Sequence, residues 1–147
     1  MPDRPVRLSR GAFRVFRTIP TRWMDNDVFG HVNNVVYYSW FDTAVNAWLV
    51  ESDLLDITGS DTVGLVAETG CTYFESVAFP ETVEAAIAVE RIGHSSVTYR
   101  IGIFRAGSEL AAAQGRFTHV YVERKTQRPV AIPGAVRQMM NAINLGA

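Results

Sequence analysis

One stretch, from about Asn34 to Glu51, carries apolar side chains around most of a helix. At helical spacing, one face holds Tyr38, Phe41, Val45, Trp48 and Leu49, and the other side holds Tyr37, Trp40, Ala44 and Ala47. A helix that is hydrophobic on nearly all sides is normally buried. We therefore predict one long central helix, which the rest of the chain has to enclose.

Five strand patterns and a short helix pattern account for most of the remaining chain. The strand patterns cover Phe13 to Trp23, Leu65 to Phe79, Thr82 to Arg91, Val97 to Arg105 and Leu110 to Glu123. Pro20 lies inside the first strand and favours an edge or a bulge there. Tight turns join the last four strands, and an amphipathic helix around Val136 and Met140 closes the chain. The order predicts an α+β fold with a mostly antiparallel sheet.

Composition limits the classes of function. The 147 residues suffice for a single domain, residues 1–147. Fourteen Lys and Arg against fifteen Asp and Glu leave a net charge of −1 without a basic stripe, which argues against nucleic acid as a partner. No apolar run approaches the roughly 18–20 residues of a membrane span. A lone cysteine, Cys71, excludes an intrachain disulfide and favours a small buried side chain in a cytoplasmic protein.

A polar loop, residues 25–34 (DNDVFGHVNN), separates the first strand from the central helix. Asp25, Asp27, Asn33 and Asn34 are typical turn and cap residues. A helix N-terminus also offers unpaired N–H groups and a positive dipole end, so a carboxylate just before it can serve as acid, base or nucleophile beside an oxyanion site. From the residues alone, both interpretations stay open.

This loop and its flanks resemble the hotdog-fold acyl-CoA thioesterases of the 4-hydroxybenzoyl-CoA thioesterase type. Those enzymes share an Asp-x-Asp-x-x-Gly loop, as in DNDVFGHVNN, and an aromatic-rich helix, as in VVYYSWFDTA. The segment RIGHSSVTYRIGIF (residues 91–104) is similar to the family's strand pair, and the likeness covers roughly residues 12–130. The resemblance implies a hotdog fold, a curved sheet of five or more strands wrapped around one long helix.

The resemblance also implies roles for the loop. Asp27 matches the family's catalytic carboxylate, and the backbone N–H of Asn34 matches its oxyanion donor. Gly30 would allow the tight turn or close backbone approach between them. Asp27 would either attack the thioester carbonyl carbon directly or act as general base on water.

Four further residues near the loop are candidates. His31 is expected to orient the loop or to contact substrate, with the structural role favoured. Asp42 is a reserve candidate, because related hotdog branches use a helix carboxylate. Asn33 and Tyr37 are assigned to substrate contact.

Coenzyme A phosphates need cations or N–H groups. His94, Ser95 and Ser96 match the position where family members contact the nucleotide. Basic side chains in the late loop suit phosphate, and they are Arg124, Lys125 and Arg128.

We thus expect a cytoplasmic thioester hydrolase that uses an acyl-CoA, or an acyl group on a carrier protein, as substrate. No metal or cofactor is expected. The uncovered edges of one sheet around one helix favour a homodimer or homotetramer. Two alternatives remain, an enoyl-thioester hydratase or dehydratase and a non-catalytic acyl-thioester binding module.

Overall fold

A computed structural model describes residues 5–145. Its strands are β1 (Val15–Pro20), β2 (Thr62–Tyr73), β3 (Thr82–Ile92), β4 (Ser96–Arg105) and β5 (Ala113–Glu123), and its helices are α1 (Val36–Glu51) and α2 (Gly134–Ala142). Two single-turn 3₁₀ helices, Arg10–Ala12 and Trp23–Asp25, flank β1. None of the helices in residues 5–145 is long and apolar enough to cross a membrane.

The five strands form one antiparallel sheet in the order β1-β3-β4-β5-β2. β1 and β2 are therefore the two edges. Pro20 is the last residue of β1, where it pairs with Thr82. The expectation that Pro20 marks an edge strand is confirmed, because β1 has only one neighbour in the sheet. Proline suits this place, since it has no N–H to donate to a second strand.

The sheet curves around α1, as expected of a hotdog fold. The buried side chains of α1 are Tyr37, Trp40, Phe41, Ala44, Val45, Trp48 and Leu49. They join one core with the inward side chains of β3, β4 and β5. Gly115 lets β5 lie close to both β2 and α1. A Cβ at this position would lie 1.9 Å from the Gly70 carbonyl oxygen and 3.0 Å from the Phe41 ring.

The opposite face of the sheet is partly covered by the segment before β1. Phe13 packs there with Ala86, Phe104 and Ala111. A Cβ on Gly102 would meet the Phe13 ring at 2.6 Å. The small residues at 86, 102 and 111 thus accommodate this segment, on the face of the sheet away from the helix.

Hydrogen bonds hold the segment before Phe13 to the sheet. Arg7 donates from Nε to the Ala111 carbonyl oxygen, and Leu8 donates its N–H to the Gln114 side chain. The Gln114 amide in turn donates to the Val6 carbonyl oxygen. Residues 6–8 are thus held against the sheet by partners more than 100 positions away.

Three strands differ in their bounds from the sequence patterns. β1 covers Val15–Pro20, where Phe13 to Trp23 was predicted, and Trp23 begins a 3₁₀ helix. β2 begins at Thr62 and ends at Tyr73, where Leu65 to Phe79 was predicted. The regular pairing stops because the N–H groups of Phe74 and Glu75 both donate to the Ala112 carbonyl oxygen. β5 begins at Ala113, where Leu110 was predicted.

A buried histidine in the core gives a test of the fold. Burial lowers the pKa of His119 to about 4, below an ordinary value of about 6.5. Between these pH values the unfolded chain binds a proton that the folded chain does not, so the free energy of unfolding falls as the pH falls. When the pH falls from about 7 to about 5, the free energy of unfolding should fall by about 2 kcal/mol more in wild type than in His119→Phe. Urea unfolding at the two pH values provides the measurement. Equal losses in the two proteins would show that His119 is not buried as a neutral side chain.

Candidate active site

The first aspartate of the polar loop holds the loop together. Asp25 is 1% exposed. Its carboxylate accepts hydrogen bonds from the Arg22 N–H at 2.7 Å and from the Arg22 guanidinium at 2.8 and 3.1 Å. Both carboxylate oxygens accept hydrogen bonds from within the protein, so Asp25 is a structural residue.

The second aspartate lies on a tight turn and is half-buried. The Asp27 N–H donates to the His31 carbonyl oxygen, and the Gly30 N–H donates to the Asp27 carbonyl oxygen. Gly30 has φ +85°, a left-handed conformation that glycine adopts without strain. The Asp27 carboxylate accepts from the Phe29 N–H at 2.9 Å and from Nδ2 of Asn33 at 3.3 Å. Each carboxylate oxygen thus has one donor and keeps accepting capacity.

Asn33 connects this carboxylate to the start of α1. While its Nδ2 donates to Asp27, its Oδ1 accepts from the Val35 N–H at 3.0 Å and its carbonyl oxygen accepts from the Val36 N–H. Asn33 therefore closes an Asx turn just before the helix, as Asn often does. Its role here is to position Asp27 and the helix start together.

Asn34 has the feature expected of an oxyanion donor. Its carbonyl oxygen accepts from the Tyr73 hydroxyl at 2.9 Å and from the Tyr37 N–H at 3.4 Å. Its own N–H has no hydrogen-bond acceptor within residues 5–145. An unpaired N–H at a helix start favours binding of a negatively charged oxygen.

One cavity of about 420 Å³ brings these groups together. Its walls consist of Asp27, Phe29, His31, Val32, Asn34, Tyr37, Tyr73, Phe74, Glu75 and Ser76. Four residues of the predicted site, Asp27, His31, Asn34 and Tyr37, lie on it. Gly30 and Asn33 shape it through the turn and the hydrogen bond to Asp27.

The segment from Tyr73 to Ser76 was not predicted to belong to the site. It reaches the polar loop because the Val32 N–H donates to the Val77 carbonyl oxygen at 2.7 Å and the Phe79 N–H donates to the Asn26 side chain at 3.0 Å. The strand pattern in this region contains no catalytic motif. Only the pairing of distant segments reveals the contact.

Aromatic side chains form part of the cavity walls. The Tyr37 and Tyr73 rings meet edge to face with centroids 4.9 Å apart, and the His31 ring stacks on Phe29 at 6.5 Å. Burial raises the pKa of Tyr37 to about 12, and burial also raises the pKa of Tyr73. Both phenols are therefore protonated donors at neutral pH.

Cys71 and Asp42 are not on this cavity. Burial raises the pKa of the Cys71 thiol to about 11, so the nucleophilic thiolate is scarce at neutral pH. Asp42 lies on the exposed side of α1, where partial desolvation raises its pKa. In the single chain, Cys71 reaches the cavity wall only through a side-chain hydrogen bond with Tyr73, and Asp42 does not line the cavity.

The residues predicted to contact coenzyme A are also away from this cavity. The carbonyl oxygens of His94 and Ser95 accept from the Ile132 and Tyr121 N–H groups, and Ser96 begins β4. The Arg124 guanidinium donates to the carbonyl oxygens of Ser60 and Ile57.

Lys125 and Arg128 are exposed on the same loop as Arg124. This basic loop follows Glu123, which pairs with Thr62 at the beginning of β2. The cavity lies at the other end of β2, about 36 Å away for a strand of 12 residues. Within one chain, the basic loop and the cavity are therefore far apart.

Comparison with known proteins identifies relatives. The sequence profile of the thioesterase-like superfamily matches residues 21–140. The crystal structure of the PA5185 protein from Pseudomonas aeruginosa is 49% identical, with a TM-score of 0.91 over 94% of this chain and 96% of that one. The Bacillus subtilis protein YsmA is 25% identical over 96 residues, a match that spans 65% of each protein.

A structure at lower identity has the same fold. The DHNA-CoA thioesterase from Staphylococcus aureus is 21% identical, with a TM-score of 0.75 over 86% of each chain. The curved sheet and central helix are thus shared with solved thioesterase structures.

The two loop aspartates should respond differently to the same substitution. Asp25→Asn is expected to lower the free energy of unfolding by about 2–3 kcal/mol, because it replaces a buried charge-assisted acceptor. Asp27→Asn, the matched control, should change that energy by less than about 1 kcal/mol. Urea unfolding of both variants provides the measurement, and equal destabilisation would contradict the division of roles.

Proposed function

Because the chain belongs to the thioesterase-like superfamily, we propose that it hydrolyses acyl-CoA thioesters at the cavity that holds Asp27. One observation carries the proposal. Asp27 and Asn34 line the same cavity, the Asn34 N–H has no acceptor within residues 5–145, and Asn33, which precedes Asn34, donates to the Asp27 carboxylate. Thioester hydrolysis needs these two groups, one to deliver the nucleophile and one to stabilise the oxygen that becomes anionic.

The helix start supplies the electrostatic part of the mechanism. As the carbonyl carbon is attacked, its oxygen gains negative charge and moves into the field of the α1 N-terminus. Donation from the Asn34 N–H would stabilise this oxyanion by roughly 3–4 kcal/mol, the scale of one oxyanion-hole donor.

Asp27 can promote hydrolysis of the thioester in two ways. As general base, it takes a proton from water while the water oxygen adds to the carbonyl carbon. The tetrahedral intermediate then expels the thiolate, which takes the proton back from Asp27. As nucleophile, its oxygen forms a mixed anhydride with the acyl group and expels the thiolate, after which water hydrolyses the anhydride. Both routes use the free accepting capacity of the carboxylate and the same oxyanion donor.

Two neighbours define the rest of the site. We assign His31 an orienting role, because it closes the turn around Asp27 through its carbonyl oxygen and stacks on Phe29. Tyr37 contributes to the wall against which the acyl group rests. Asp42 is the reserve carboxylate, and a role for it would require a surface that the single chain does not form.

A second copy of the chain completes the proposed site. β2 is an edge strand with exposed Leu65 and Val66, and such an edge can pair with another chain. Antiparallel pairing of two β2 strands places the basic loop of one copy beside the cavity end of the other. Lys125 and Arg128 would then meet the phosphates of coenzyme A, while Arg124 holds the loop.

The central test is release of free thiol from a panel of short-chain, long-chain and aryl acyl-CoAs. Wild type should hydrolyse at least one of them. Asp27→Asn should lose at least about 100-fold in turnover, the size expected for a lost base or nucleophile. Asp42→Asn is the comparison variant and should keep wild-type turnover.

Other outcomes have distinct meanings. If turnover fell in Asp42→Asn and stayed normal in Asp27→Asn, the catalytic carboxylate would be Asp42 on α1. Hydration of an enoyl-CoA without thiol release would replace hydrolysis by hydratase activity. Binding of coenzyme A thioesters without any turnover would identify a binding module.

A truncated substrate tests the role of the basic loop. The double variant Lys125→Ala, Arg128→Ala should raise KM for an acyl-CoA by about tenfold, since two charge-assisted phosphate contacts are lost. KM for the matching N-acetylcysteamine thioester, which has no phosphates, should not change. Arg14→Ala, beside the opposite sheet edge, is the control. Equal effects on both substrates would contradict phosphate binding by this loop.

A further inference from the structure

Tyr73 connects β2 to the start of α1. Its hydroxyl donates to the Asn34 carbonyl oxygen at 2.9 Å, across 39 positions of sequence. Tyr73 is the last residue of β2 and pairs with Ala113 of β5, so its backbone is held by the sheet. Its ring packs edge to face on Tyr37. The hydroxyl is therefore presented from a rigid position.

The peptide that receives this hydrogen bond is held from both sides. Its carbonyl, from Asn34, accepts from Tyr73, and its N–H, from Val35, donates to Oδ1 of Asn33. Asn33 also donates to Asp27. A continuous path of hydrogen bonds thus runs from the carboxylate through Asn33 and this peptide to the sheet.

Asn34 supplies the carbonyl of this peptide, and the same residue carries the N–H proposed as oxyanion donor. Asn34 and Val35 are exposed, and Val35 is 63% exposed, so packing does little to fix their backbone. An oxyanion donor is effective only when it is already aimed at the developing charge. The Asn34 N–H belongs to the preceding peptide, whose carbonyl, from Asn33, accepts from the Val36 N–H. The orientation of this N–H therefore depends on hydrogen bonds to both adjoining peptides, and Tyr73 supplies the one on the Asn34 carbonyl.

We propose that Tyr73 is a positioning residue that, by fixing the Asn34 carbonyl, sets the direction of the Asn34 N–H towards the thioester oxygen. This role rests on the proposed thioesterase function. The phenol does not exchange a proton with the substrate. It acts through the backbone, so its loss should weaken transition-state stabilisation more than substrate binding.

Tyr73→Phe removes only the hydroxyl and keeps the ring. With the best acyl-CoA of the panel, kcat should fall about tenfold, the factor expected for one ordinary hydrogen bond, and KM should stay within about twofold. Tyr99→Phe is the matched control, because the Tyr99 hydroxyl is buried in the core without a partner in residues 5–145. It should keep wild-type kcat.

A spectroscopic measurement reads the hydrogen bond from Tyr73 to the Asn34 carbonyl, on which the positioning depends. In ¹H–¹⁵N spectra without substrate, the Val35 amide proton should move upfield in Tyr73→Phe, because a peptide whose carbonyl loses its donor becomes a weaker donor itself. The same resonance should stay in place in Tyr99→Phe.

Three results would overturn the proposal. They are unchanged kcat in Tyr73→Phe, a change confined to KM, and an unmoved Val35 resonance. If wild type hydrolysed no acyl-CoA, the proposed function would fail and this role with it. If wild type were active and Asp27→Asn inactive, a normal Tyr73→Phe would overturn the positioning role alone.

Discussion

The apolar side of α1 packs into the curve of the sheet, and this contact determines where the helix begins. Phe41 lies against Gly115 at the point where β5 passes close to Gly70 of β2. With the helix held there, its first turn reaches the end of β2, and the Tyr73 hydroxyl meets the Asn34 carbonyl oxygen. The position of the candidate site therefore follows from burial of the helix.

The polar loop then shows how two nearby carboxylates acquire different roles. Asp25 is buried and accepts three hydrogen bonds from Arg22, which stabilises the loop. Asp27 is half-buried, accepts one hydrogen bond on each oxygen and lies on the cavity. A carboxylate with spare accepting capacity beside an unpaired N–H at a helix start can take part in chemistry. A fully paired one cannot.

Much of the fold could be predicted because local patterns specify it. Apolar spacing identified α1, and alternation identified the antiparallel strands. The strand ends were missed at residues 74–79 and 110–112, because those ends depend on the shared acceptor at Ala112. The position of the segment before Phe13 could not be predicted for a similar reason, since Arg7 and Leu8 are held by distant partners.

The site was predictable where a motif lies within one segment, as for Asp27, Gly30, Asn33 and Asn34. Tyr73 and the residues after it lie about 40 positions away and carry no local signal, so only the fold brings them to the cavity. The roles of Asp42 and the basic loop depend on surfaces that a single chain does not form. They stay predictions.

The most direct measurement of the central claim uses a ketone analogue of an acyl-CoA, in which a methylene group replaces the thioester sulfur. In ¹H–¹⁵N spectra of the wild-type protein, binding should move the Asn34 amide proton downfield, since this N–H gains an acceptor. The largest other shifts should occur at residues 27–37 and 73–76. An Asn34 resonance that does not move while the analogue binds at the exposed side of α1 around Asp42 would contradict the account.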